Sequence, residues 1–92
     1  MGNEHHLKTW PQPFQDTKDG KKLFEFRKDD RNPKFKVGDI LVLEEFKPVL
    51  KISGKWKGEY TGESIRMYVT LVYHGHRFGI PKGYCIMGVV KE

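Results

Sequence analysis

Gly20-Lys21-Lys22-Leu23-Phe24-Glu25-Phe26-Arg27 gathers two cations, Lys22 and Arg27, around one carboxylate, Glu25, in a segment with aromatic residues at alternate positions. Phe24 and Phe26 have the spacing of the inward face of a strand, and Glu25 and Arg27, two apart, share the opposite face. Lys22 has the other parity on a regular strand, so it reaches Glu25 only through a bulge or from the strand's entry. The segment Lys21 to Lys28 is therefore read as a strand that carries a fixed charged site.

The flanks give the strand its context. His5 to Trp10 alternates as a first strand, and Pro11 and Pro13 suit the first turn of a helix, with Phe14 and Thr17 facing inward and Gly20 ending it. Trp10 is read as a core or rim aromatic. Asp29-Asp30-Arg31-Asn32-Pro33 is a turn by composition, and Phe35 to Asp39 leads into the unbroken apolar run Ile40-Leu41-Val42-Leu43, a buried strand closed by Glu44 and Glu45. Lys47 to Gly62, broken by Pro48, Gly54, Gly58 and Gly62, is expected to be a long irregular loop. From Ser64 to Tyr73, Ile65, Met67, Val69, Leu71 and Tyr73 share one face of a strand. A loop over His74 to Gly83 precedes a last strand, Tyr84 to Val90. Five or so strands with one or two short helices predict a mainly β fold, closed as a small barrel so that no sheet edge is left open.

Composition sets the outer bounds. Ninety-two residues form one domain, 1–92, and 37% hydrophobic with 32% charged residues is a globular balance. No apolar run approaches the 18 or so residues of a membrane span, so no membrane partner is expected and a cytoplasmic monomer is the predicted state. Cys85, the one cysteine, lies in the run Tyr84-Cys85-Ile86-Met87 and reads as a small buried hydrophobe. The four histidines, His5, His6, His74 and His76, have no Cys pair or acidic cluster to complete a metal set, so neither metal nor cofactor is predicted.

The charge is unevenly placed. Residues 1–46 hold nine Lys/Arg against nine Asp/Glu, whereas residues 47–92 hold eight against three. Lys47, Lys51, Lys55 and Lys57 come without an acid among them, and Trp56 and Tyr60 lie close by. Cations neutralise phosphates and an aromatic face stacks on an unpaired base, which suits RNA or a nucleotide. A solvated lysine loop, or one that docks on another protein, fits the same residues.

The spacing GxKxxExR, met by Gly20, Lys22, Glu25 and Arg27, resembles the signature of the ASCH branch of the PUA-like superfamily. The opening His5-His6-Leu7-Lys8-Thr9-Trp10-Pro11, the Lys28-Asp29-Asp30-Arg31 turn, the Val37-Gly38-Asp39-Ile40-Leu41 corner and Glu59-Tyr60-Thr61-Gly62 are similar to small single-domain ASCH-like proteins of bacteria and their phages. The resemblance implies a five- or six-stranded β-barrel with a cleft that binds RNA. Here the cleft is expected to be lined by Lys8, Lys22, Glu25, Arg27 and Arg31, with Lys55, Trp56 and Lys57 extending it. Flanked by two cations, Glu25 is expected to be an orienter of Lys22 and Arg27 rather than a base. An enzyme is the alternative, acting on RNA or a modified nucleoside with Lys22 as the reactive group and Glu25 beside it. Some ASCH-like relatives are amidohydrolases of an acylated cytidine, with a threonine three positions after the motif lysine, where this chain has Glu25; others are ribonucleases.

Overall fold

Alternation and apolar runs give five strands and one helix: β1 (Glu4–Thr9), α1 (Pro11–Lys18), β2 (Phe24–Lys28), β3 (Ile40–Leu50), β4 (Trp56–His74) and β5 (Tyr84–Lys91). The computed structural model describes residues 2–92. All five strands belong to one mixed sheet in the order β1-β3-β4-β5-β2, with β1 parallel to β3 and every other pair antiparallel. The run Ile40-Leu41-Val42-Leu43 has almost no polar group to offer water, and it sits between β1 and β4 where both its neighbours are strands. Leu7, Phe35, Leu41, Leu43, Met67, Val69, Cys85, Met87 and Val89 form the continuous buried core. Pro11 opens α1 at a position that needs no amide donor, and Phe14 and Thr17 are its buried residues, as their spacing predicts.

The sheet is not closed into a barrel. β1 and β2 are its two ends, and no backbone ladder joins them among the described residues. Instead, Arg27 on β2 reaches across the seam, its Nη1 donating to the Lys8 carbonyl at 2.9 Å and its Nη2 to Thr9 Oγ1 at 3.1 Å. A side chain stands where the expected barrel would have had strand pairing.

The strand faces also depart from the sequence reading. In β2 it is Glu25 that is buried, at 1% exposure, while Phe24 and Phe26 are each 48% exposed. The inward place of Glu25 is tolerable because two cations pair with it there; burial of a charge is costly only without such partners. Phe26 stacks on Tyr84 outside, with ring centroids 5.4 Å apart. In β4 the register passes from Val69↔Val89 to Leu71↔Gly88, so Thr70 is an extra residue on that strand. Met67 and Val69 point inward as predicted, but the bulge reverses the parity beyond it: Leu71 and Tyr73 are each 45% exposed, and Val72 packs against the core.

The expected loop from Lys47 to Gly62 is ordered. Glu44 and Glu45 mark a register shift rather than a strand end, and the ladder continues from Phe46↔Tyr60 to Leu50↔Trp56. The tip is closed by Lys51 N donating to the Lys55 carbonyl at 2.8 Å, with Gly54 at a φ of 82° that favours glycine. Proline and glycine break strands in the middle of a sheet, but a two-stranded arm tolerates them because each strand has one edge free.

Candidate functional site

The charged site is assembled where the two sheet ends meet. Lys22 lies in the non-strand segment before β2, so strand parity does not bind it. The amides of Lys21 and Lys22 both donate to the Asp16 carbonyl, which folds the chain back under α1 and lets the Lys22 side chain return to Glu25. Glu25 accepts from Lys22 Nζ on Oε2 and from Arg27 Nε on Oε1, the latter at 2.8 Å. Lys22 Nζ also donates to the Phe24 carbonyl at 2.8 Å. The Glu25 side chain is 2% exposed, against 19% for Lys22 and 25% for Arg27. The carboxylate is thus withdrawn, and the cations it positions are the groups that face outward.

Lys8, Thr9, Trp10, Pro13, Phe24 and Phe26 line the rest of this cleft, about 200 Å³ in volume. Arg27 spends three of its five donors on Glu25, Lys8 and Thr9, and Lys22 spends two of three, so each retains capacity for an incoming acceptor. Lys8 belongs here as predicted; its Nζ lies 4.8 Å from the centroid of the Phe46 ring. Trp10 is a rim residue, 57% exposed.

Arg31 does not line the cleft, contrary to the sequence expectation. Its guanidinium lies 4.6 Å over the Phe35 ring, and Nη1 is 3.4 Å from His5 Nδ1. His5 in turn contacts Asp39 Oδ2 at 2.8 Å, with both residues buried. Burial pushes the Asp39 carboxyl up, but hydrogen bonds from His5 and from the Asn3 and Lys36 amides outweigh it and leave the group below its ordinary range. This cluster ties the start of β1 to the start of β3. A larger open hollow of about 670 Å³ beside Gly38 and Tyr68 has Asp39 as its carboxylate, already bonded by these three partners.

The aromatic residues of the arm were only partly legible. Register places Phe46, Pro48 and Leu50 opposite Tyr60, Gly58 and Trp56, so one face of the arm carries no charge. The Phe46 ring covers Gly58, where a Cβ would lie 2.0 Å from it, and meets Tyr60 edge-on at 4.9 Å and Trp10 at 6.2 Å. Trp10, Phe46, Tyr60 and Trp56 thus run from the cleft to the tip. Trp56 is 68% exposed. Of the predicted neighbours, Lys55 lies in the tip and Lys57 on the opposite face of the ladder. Lys51 pairs with Glu59, and the hydrogen bond it donates holds that exposed carboxyl below its ordinary range.

The remaining candidates separate. His5 contacts Asp39, His6 contacts Glu4 and Glu44, and His74 contacts Asp29, so the histidines near the two ends of the chain do not meet. Cys85 is fully buried, and burial pushes its thiol up to about 11. Among the described residues no helix is long and apolar enough to cross a membrane.

Residues 4–89 match a protein-family model described as a domain of unknown function (DUF3850), and the chain belongs to that family. No curated protein matches it.

Proposed function

We propose that this domain binds single-stranded RNA or a nucleotide, holding phosphate at Lys8, Lys22 and Arg27 and stacking bases along the aromatic face of the arm. The observation that carries the reading is the continuity of the two parts: Trp10 lines the charged cleft and also touches Phe46, which touches Tyr60. A cationic end followed by exposed rings is the arrangement that tracks an unpaired strand, since every base offers a π-face and every nucleotide a phosphate. In this reading Glu25 orients the two cations and is too withdrawn to meet the ligand itself. The resemblance to ASCH domains supports the same reading, with the Arg27 seam taking the place of barrel closure.

Lys22 is assigned to binding rather than covalent chemistry because its Nζ is held by Glu25 and by the Phe24 carbonyl. A reactive amine would need a free lone pair and an open approach. Fluorescence anisotropy with short RNA oligomers, titrated at several salt concentrations, tests the proposal. Affinity is expected to fall linearly on a log–log plot against salt, with a slope of about −0.7 per phosphate contacted. Salt-independent binding, or none, would sink it. Turnover of RNA or an acylated nucleoside that vanishes in Lys22→Ala would replace binder with enzyme.

A further inference from the structure

A second constellation lies between the end of β2 and the loop joining β4 to β5. Asp29 follows β2, and its amide donates to the Gly83 carbonyl at 2.7 Å, which fixes it against the start of β5. Its side chain is only 3% exposed. Oδ1 receives a long 3.4 Å contact from the Phe35 amide. Oδ2 lies 3.0 Å from His74 Nδ1 but accepts no well-aligned hydrogen bond. A buried carboxylate oxygen in that state is costly unless a further donor reaches it.

The pocket that Asp29 lines supplies room for one. It has a volume of about 260 Å³, and its other charged or titratable walls are Lys34, His74, His76, Lys82 and Tyr84. Asp29 is the one carboxylate among its lining residues, so the walls as a set are cationic. His76 holds a φ of 79°, a left-handed conformation that non-glycine residues seldom adopt and that clusters at ligand sites. The volume falls below the roughly 300–1,000 Å³ of ordinary small-molecule sites, so the ligand is small. It must also offer two things at once: negative charge for the lysines and a hydrogen-bond donor for Asp29 Oδ2.

We infer that this pocket binds a phosphorylated pentose, with the phosphate against Lys34, Lys82 and His76 and a sugar hydroxyl donating to Asp29. A phosphate seated against the lysines brings no sugar hydroxyl to Asp29, and a neutral sugar leaves the lysines unused. The inference is independent of the Glu25 cleft, which shares no lining residue with this pocket. The same chemistry is carried by a free sugar phosphate and by the 5′ end of an RNA chain.

The test is titration with ribose 5-phosphate, inorganic phosphate and ribose, followed by NMR at the imidazoles of His74 and His76. Ribose 5-phosphate is expected to bind about tenfold more tightly than inorganic phosphate, the worth of one hydrogen bond to a charged group. The double variant Lys34→Ala/Lys82→Ala, both surface changes, is expected to weaken it by at least about tenfold. Asp29→Asn is expected to keep phosphate affinity and lose the preference for the sugar; should it fail to fold, the lysine variant and the ligand series still decide. Equal affinity for ribose 5-phosphate and inorganic phosphate, shifts confined to other residues, or an unaffected lysine variant would each overturn the assignment. Competition by a 5′-phosphorylated RNA oligomer but not its 5′-hydroxyl form would identify the source as a chain end; lack of competition would identify a free sugar phosphate.

Discussion

The seam at Glu25 and the arm at Trp56 use charge in opposite ways. At the seam one carboxylate is buried and fully partnered, and Arg27 ties β2 to Lys8 and Thr9 on β1. On the arm the charges are exposed, and the ladder separates Lys57 from Trp56 onto different faces. Charge at the seam therefore holds the fold together while shaping a cleft, whereas on the arm Lys51 pairs with Glu59 at the surface and Lys55 and Lys57 stay exposed. The seam should answer mutation with lost stability as well as lost binding, and the arm with lost binding alone.

The sharpest way to break that contrast is Glu25→Ala. It takes from Lys22 and Arg27, both partly buried, the fully buried partner they share, so unfolding stability in urea should fall by about 3–5 kcal/mol. A loss below about 1 kcal/mol would mean the seam is only another surface ion pair. Asp39→Ala comes next, at about 3 kcal/mol, because His5 and two amides lose their acceptor. The sign of the pH dependence follows from the direction of its shift. Asp39 binds a proton less readily folded than unfolded, so its contribution is complete above the ordinary carboxylate range and is lost as pH falls below about 4. Chemical denaturation between pH 3 and 7 should show this limb in the native chain and a shallower one in Asp39→Asn.

Trp56→Ala should behave in the reverse manner. Stability is expected to stay within about 0.5 kcal/mol, since the ring is mostly in water, while RNA affinity drops by about 1–3 kcal/mol through a lost stacking surface. A large stability loss with unchanged affinity would reverse the roles of the two regions. The smallest effect belongs to Lys57→Ala. It should leave both the melting transition and the salt slope of RNA binding in place, because Lys57 lies on the face away from Trp56; a slope reduced by about 0.7, one phosphate contact, would extend the RNA path to that face.

How much of this was legible depended on whether a residue's neighbours lay near it in the chain. α1 with Phe14 and Thr17 inward, the buried run of β3, the burial of Cys85 and the grouping of Lys8, Lys22, Glu25 and Arg27 were all readable. The Thr70 bulge was not, because nothing in Tyr68-Val69-Thr70-Leu71 marks an extra residue until β5 is laid beside it. Arg31 was misplaced for a similar reason: its partners, His5 and Phe35, become adjacent only when β1 meets the turn after β2. Asp29 and His74, 45 positions apart in number, gave no motif at all.

The sequence by itself determined β1, β2, β5 and the apolar stretches of β3 and β4 as strands, that the domain is mainly β, and that two cations flank one carboxylate within one segment, because spacing and local backbone preference act within a few residues. Only the tertiary structure decided which face each strand buries, that the sheet stays open with Arg27 across its seam, and that Lys47 to Gly62 pairs into an arm. Those outcomes rest on contacts between residues far apart in the chain, where one shift of register or one satisfied buried charge outweighs the local hydrophobic pattern.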